Sequence, residues 1–306
     1  MLSAFRRRPL FPAGDRFGLL EAVTSGEDVG RPGVSIRMLA SDLDGTLLRT
    51  DGTVSPRSRD ALKAATDAGL LVAFVTGRPP RWMDDIADAT GHTGVAVGAN
   101  GAVLYDLATE HIIATHPMSP ETLALLTAEL RNAFPDVQFA VEYGASFGAE
   151  PGYVHDWAIN PLTDRRGRLI AAPLVADLTS IISQPGVKLL AKDHGAEVDE
   201  FLASAATLLA GRATVTHSSR YGLLEIAAPG VTKASGLAEL AASHGITPDE
   251  VAAIGDMPND VPMLQWAGAS YAVANAHPAA LAAADEVLES NDDDAVATLI
   301  ETLLGR

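Results

Sequence analysis

From Ile36 onward the apolar and polar positions fall into two alternating periods. The run Ile36-Arg37-Met38-Leu39-Ala40 is rich in buried-type residues and gives way to a Gly-containing loop, as a buried strand does. Ser55-Pro56 then opens a helix, a cap residue followed by Pro in the first turn, with Ala61, Leu62 and Ala65 on one face. Gly69 stops it. Residues 70–75 form a continuous apolar strand running into Thr76-Gly77-Arg78. A second helix over about 80–90 leads to the strand Val95-Ala96-Val97. This β-α-β-α-β succession predicts parallel strands with helices on both faces.

The same alternation returns near the C-terminus. A helix over about 232–244 is closed by Gly245, and Thr247-Pro248-Asp249-Glu250 has the form of a capping box. Val251-Ala252-Ala253-Ile254 is a buried strand ending in Gly255-Asp256. A helix through Met263-Leu264, the strand Tyr271-Ala272-Val273, an Ala-rich helix near 278–284 and a last helix from Asp294 follow. Asp292-Asp293-Asp294 suits the N-terminus of that last helix.

Between these halves the pattern changes. A helical stretch at 120–131 mixes with short β-like runs at 137–141, 187–190 and 214–216, separated by turns at Gly152, Gly167 and Gly211. An α+β insert carried by a split α/β core is the expected organisation. The divisions fall at 1–34 (a poorly ordered extension without sustained period), 35–112 plus 223–306 (the core) and 113–222 (the insert).

Composition narrows the function classes. A chain of 306 residues with 47% hydrophobic content is not disordered and has enough apolar side chains for a sizeable core. No apolar stretch approaches the roughly 20 residues that span a bilayer, and Arg6-Arg7-Arg8 lacks a following apolar segment of a secretory signal. The absence of Cys removes disulfides, thiolate nucleophiles and cysteine zinc sites, so a cytoplasmic protein is expected. The net charge of −17 argues against nucleic acid. Between Arg220 and Arg306 the one basic residue is Lys233.

The candidate chemistry starts at Asp42-Leu43-Asp44-Gly45-Thr46-Leu47. At a strand end the chain bends, so one Asp can offer a carboxylate and the other a backbone carbonyl to a common point. Two acids forced together repel and raise each other's pKa. A hard divalent cation removes that cost, and Mg²⁺ prefers a few carboxylate oxygens with water and phosphate. Such a pair also occurs in ordinary surface turns, so its partners decide. In an open α/β sheet ligands sit beyond the carboxyl ends of the strands. Thr76-Gly77-Arg78, Lys233 and Gly255-Asp256-Met257-Pro258-Asn259-Asp260 are expected there with the first segment. Together they offer a carboxylate nucleophile, metal ligands, a hydroxyl and a cation for phosphate, and a proton-transfer group.

In order and spacing these segments resemble the four motifs of the haloacid dehalogenase superfamily. The likeness is strongest to its Cof-type hydrolases, including Gly230-Val231-Thr232-Lys233 and Ala274-Asn275-Ala276. It runs from residue 36 to the C-terminus and is weakest in the insert. The resemblance implies a Rossmann-like three-layer α/β/α core with a mainly parallel sheet, plus an inserted α+β cap domain. It implies a Mg²⁺-dependent phosphatase acting on small phosphorylated metabolites through an aspartyl-phosphate, as a monomer or homodimer. By the same resemblance Asp42 is the nucleophile and Asp44 the general acid and base. Leu43, Thr76, Gly77, Arg78, Lys233 and Asn259 bind phosphate or substrate, and Asp42, Asp44 and Asp256 hold the metal. Asp260 orients Lys233 or the metal shell, or is simply a helix N-terminal acid. Asn100 opens the cap segment.

Other features stay open at this level. Arg78 either reaches substrate or pairs with a surface acid. Lys188, Lys192, Arg165, Arg166 and Arg220 are candidates for presenting charge from the cap, and Trp82 and Trp157 for lining its interface, whereas Trp266 reads as packing. The eight His show no metal-ligand spacing. Pro258 and Asp294-Ala295 depart from the family pattern without removing a reactive group. Two alternatives share the motifs: a phosphosugar mutase, and a non-catalytic regulator that binds a phosphorylated metabolite.

Overall fold

The computed structural model of the chain describes residues 35–153, 174–218 and 222–306. The extension 1–34, Trp157, Arg165, Arg166 and Arg220 lie outside the described residues. Two sheets organise the rest. In the first, strand order is β14 (Glu286–Leu288), β13 (Ala269–Val273), β12 (Val251–Gly255), β1 (Met38–Ser41), β2 (Leu71–Val75), β3 (Val95–Gly98), β4 (Val103–Asp106), β5 (His111–Thr115). The six strands from β14 to β3 run parallel, and the hairpin β4–β5 closes one edge antiparallel.

Burial explains the centre of this sheet. β1 and β12 are buried at every position, and Met38 sits in register between Val251 and Leu71. Strands covered on both faces need continuous apolar runs, and these have them. Helix Pro56–Asp67, capped by Ser55, packs on helix Ala295–Leu303 on one side. Helix Lys233–Ser243 packs on helix Val261–Trp266 and against β2, β3 and β4. The core is therefore three-layered, helix on sheet on helix.

The second sheet has the order β10 (Thr214–Thr216), β11 (Leu223–Ala227), β9 (Lys188–Lys192), β6 (Gln138–Glu142), β7 (Phe147–Ala149), β8 (Leu174–Val175). It is antiparallel except between β7 and β8. The period of two divides its faces. Phe139, Val141, Leu189, Ala191, Leu224 and Ile226 pack with helices Pro120–Ala133 and Val198–Leu208. Ala140, Leu190 and Tyr153 belong to a separate small apolar cluster, and Glu142, Lys188 and Glu225 are buried at positions on that same alternate register.

The chain leaves the first sheet after Thr115 and returns after Ala227, a few residues later on each side than the 113 and 222 drawn from sequence. Alternation identifies a strand but does not say which sheet it joins. The two crossings lie together: His116 N–H donates to Ala102 O at 2.9 Å, and Gly101 leaves no room for a Cβ against the Thr232 carbonyl. Among the described residues no helix is long and apolar enough to cross a membrane.

The acids before the last helix stand at its start, with Asp294 as the N-cap residue, and two of them also tie down the loop after β1. Asp294 adopts a left-handed conformation (φ 62°) and makes no side-chain cap bond. Its carboxylate takes Arg49 at 2.9 Å, while Asp292 accepts from Thr50 N–H and hydroxyl, both at 2.8 Å. They fasten the loop after β1 to the C-terminal segment.

Candidate active site

Four chain segments meet at the carboxyl ends of β1, β2 and β12. Asp42 follows β1 directly, its N–H bonded to Ile254 O of β12 at 3.0 Å. Leu43 turns a fully buried side chain into the core, which fixes the loop. Gly45 stands at φ 77° with the Asp256 carboxylate where a Cβ would project, so only Gly admits this approach. Thr46 donates its hydroxyl to Asp256 Oδ1 at 3.1 Å, and Asn275 holds the Gly45 carbonyl at 2.8 Å. Asn275 was part of the family likeness with no role attached; its place is to hold the loop.

Lys233 begins helix Lys233–Ser243, whose Thr232–Ser235 capping box sets its start. The side chain is fully buried, and its ammonium lies 2.8 Å from Asp42 Oδ1 and 2.6 Å from Asp260 Oδ1. Asp260 Oδ2 accepts from the N–H groups of Asp256 and Met257 at 3.1 and 2.9 Å. One oxygen of Asp260 thus holds the Lys233 ammonium while the other caps backbone N–H groups at the start of the next helix, so the orienting and helix-terminal readings coincide.

The charge balance here is uneven. The carboxylates of Asp42, Asp256 and Asp260 converge within 4.8 Å, all buried, against one lysine. Burial, then repulsion from Asp260, pushes the Asp42 carboxyl well above the usual range, although Lys233 pulls it back. Burial and Asp260 likewise push Asp256 up to about 7, with Lys233 opposing. The Lys233 ammonium is held above its ordinary value: burial opposes this, but attraction to Asp260 and Asp42 prevails. Buried acids that resist ionising together are the donor set a hard divalent cation relieves. Both oxygens of Asp260 are already engaged, so Asp42 and Asp256 are the carboxylates left for such an ion. The residues present fit Mg²⁺.

Thr76 ends β2, its N–H held by Val97 O at 2.8 Å and its hydroxyl accepting from Arg78 N–H at 3.1 Å. The Arg78 guanidinium grips Asp44 through both carboxylate oxygens, at 2.7 and 2.5 Å. Of the two partners expected for Arg78, the structure shows an exposed acid, and that acid is Asp44 itself. Asp42, Asp44, Thr76, Gly77, Arg78 and Asn259 open onto one cavity of about 440 Å³. Lys233 and Asp256 stand behind Asp42 as its supports.

The opposite wall comes from the second sheet. Trp82 lines the cavity together with Glu142, Tyr153, Lys188, Leu190 and Glu225. Lys192 sits near the Tyr153 ring at 6.0 Å. Arg81, one residue before Trp82, pairs with Glu142 through both guanidinium nitrogens, and both side chains are almost fully buried. Its guanidinium lies over the rings of Trp82 and Phe147 at 4.9 and 5.2 Å. Sequence reasoning passed over Glu142 and Glu225. The signal was a lone acid inside each of the apolar runs Phe-Ala-Val-Glu and Leu-Leu-Glu-Ile.

The sequence profile of the haloacid dehalogenase-like hydrolases matches residues 39–300. A 5-amino-6-(5-phospho-D-ribitylamino)uracil phosphatase of Bacillus subtilis (strain 168) is 26% identical over 275 residues, 89% of this chain and 97% of that protein. A pyridoxal phosphate phosphatase of Escherichia coli (strain K12) is 28% identical over 278 residues, 87% and 98% of the two chains. The crystal structure of SMU.1108c from Streptococcus mutans UA159 superimposes with a TM-score of 0.75 at 22% identity, covering 89% of this chain and all of that one.

Proposed function

We propose a reaction for this chain, which belongs to the haloacid dehalogenase-like hydrolase family and is a Cof-type phosphoric monoester hydrolase: Mg²⁺-dependent hydrolysis of small phosphomonoesters at Asp42. The observation that carries this reading is the buried excess of carboxylates around Asp42, with one ammonium, beside an open cavity that Asp42 lines. These are crowded acids that resist ionising together, and a bound cation would let Asp42 serve as an anionic nucleophile.

In the proposed sequence an Asp42 carboxylate oxygen attacks phosphorus and the bond to the leaving oxygen breaks. Asp44, freed from Arg78 and carrying a proton, gives that proton to the departing alkoxide. The acyl phosphate on Asp42 is then opened by water, whose proton returns to Asp44, restoring the free enzyme and releasing orthophosphate. The Thr76 hydroxyl, the Gly77 backbone, Lys233 and Asn259 hold the phosphoryl oxygens and neutralise their charge. The Asp42 and Asp256 carboxylates and the Asp44 carbonyl would hold Mg²⁺, which would supply positive charge to offset repulsion between the nucleophile and a phosphate dianion. The six-stranded sheet, from about residue 116 to 227, serves as the cap over the leaving group.

Substrates of the sugar-phosphate or related metabolite kind fit this cavity. The names of the two curated relatives, for pyridoxal phosphate and for 5-amino-6-(5-phospho-D-ribitylamino)uracil, support a small phosphorylated metabolite. The test is phosphate release from a panel of phosphorylated metabolites, with Mg²⁺, after chelation and after re-addition. Turnover that needs the metal supports the reading; full activity in a verified metal-free preparation contradicts it.

A further inference from the structure

A chain of buried polar groups runs from the second sheet into the loop after β2 and reaches two members of the four-motif site, Gly77 and Asn259. Lys188 of β9 donates its ammonium to the Gly77 carbonyl at 2.7 Å and lies 3.3 Å from Glu225 Oε2 of β11. Asn100 donates its amide to the same Glu225 oxygen, and Ser218 donates to Glu225 Oε1 at 2.5 Å. Asn259 in turn donates to Asn100 Oδ1 at 3.0 Å. Four of these residues, Lys188, Glu225, Asn100 and Asn259, are more than nine-tenths buried.

Several features show that the arrangement is built to this geometry. Asn100 holds a left-handed backbone (φ 58°), as does Ala99 before it (φ 49°), which strains a non-glycine chain. That conformation lets the Asn100 N–H reach Thr76 O at 3.0 Å while its side chain faces Glu225. A Cβ at Gly77 would stand 3.1 Å from Asn100 Oδ1 and 3.2 Å from Glu225 Oε2, so a side chain there would press on both groups. The Glu225 carboxyl is held below its ordinary value: burial opposes this, but Lys188, Ser218 and Asn100 outweigh it. A buried, ionised carboxylate satisfied by three donors is a rigid hub.

We propose that Lys188 and Glu225 are positioning residues for phosphate: docking of the six-stranded sheet fixes the Thr76-Gly77 loop through the Gly77 carbonyl and sets Asn259 through Asn100. The inference rests on the proposed phosphatase reading for what the loop binds. It adds that the phosphate cradle is complete only while the sheet is seated, because two of its supports belong to that sheet. Neither side chain touches the reacting atoms; each acts through another group.

Direct binding tests this without turnover. Orthophosphate with Mg²⁺ is titrated calorimetrically into wild type and into folded Lys188→Met, and KM and kcat are measured in parallel on a nitrophenyl phosphate. We expect the phosphate Kd and KM to rise about tenfold or more, as on losing one charge-assisted hydrogen bond. Because Lys188→Met strands a buried acid, the double variant Lys188→Met with Glu225→Gln is the second arm, and Gly77→Ala the third. Both should weaken phosphate in the same sense. A merely structural role would lower the melting temperature and the active fraction, hence apparent kcat, and leave Kd and KM at wild-type values; that result overturns the proposal. Wild type that binds phosphate but hydrolyses no phosphomonoester would sink the proposed function, while weaker binding by the variants would still support the inference.

Discussion

Two buried ionic clusters meet at Asn259, and they are balanced in opposite ways. Behind Asp42 three carboxylates share Lys233. Across the interface between the sheets Arg81 faces Glu142, and within the second sheet Lys188 faces Glu225, one cation to each acid. Both clusters lie in surroundings where an unpaired charge is expensive. The balanced one needs nothing more and can only hold parts together. The unbalanced one carries two more acids than cations, the donor excess that a hard divalent cation relieves.

The largest effect should come from the unbalanced side. Asp42→Asn removes the nucleophile, so phosphate release should fall to background. Removing one acid from an excess should also leave the metal-free melting temperature unchanged or raise it. Wild-type rates in the folded variant would break the contrast at its root.

Asp44→Asn should slow turnover by roughly 10²–10⁴-fold, the range of a general acid–base group. Esters with good leaving groups such as nitrophenol need less protonation and should lose less. An equal loss across leaving groups would place Asp44 among the structural groups with its partner Arg78.

Lys233→Ala should lower kcat by at least about a hundredfold, as removal of a preorganised donor does. It should also lower stability, because three buried acids then face one another with no cation. Lys233→Arg should restore little, since a planar fork does not fit where a compact ammonium bridges Asp42 and Asp260. Retention of half the activity by Lys233→Ala would remove it from the phosphate site.

On the balanced side the sign reverses for stability. Glu142→Gln leaves Arg81 buried without its acid and should cost about 3–5 kcal/mol, seen in denaturant unfolding. Unfolding free energy equal to wild type would mean that the pair contributes nothing to the interface.

The smallest effect concerns acid. The Glu225 carboxyl is held below its ordinary value, so its stabilisation is present above the unfolded value of about 4.3 and is lost as pH falls through the folded one. The stability gap between wild type and Glu225→Gln should therefore shrink as pH is lowered below about 4. A gap that stayed constant would show that Glu225 is not held ionised by Lys188.

The same contrast explains what was legible in the sequence. The unbalanced cluster is carried by segments whose acids lie close together in the chain, Asp42 with Asp44 and Asp256 with Asp260, so local spacing displayed it. The strands that present them, β1 and β12, are buried throughout and follow from apolar runs. The balanced cluster is assembled by strand pairing: Glu142 stands opposite Lys188 across β6 and β9, and Glu225 arrives from β11. A lone acid in an apolar run looks like noise until register supplies its neighbour. Elements went unnamed for similar reasons. β5 has exposed positions along most of its length, β7 has three residues, and helix Val198–Leu208 starts at Glu197 with no side-chain cap.

One earlier observation reaches beyond chemistry. Both chain crossings between the sheets press on the same spot, Gly101 and Ala102, so the second sheet enters and leaves the core through a single doorway. A segment inserted that way can be lengthened, shortened or replaced over generations without shifting the pairing of β1 with β12. The pairing that holds Asp42 beside β12 therefore does not depend on the length of the inserted segment.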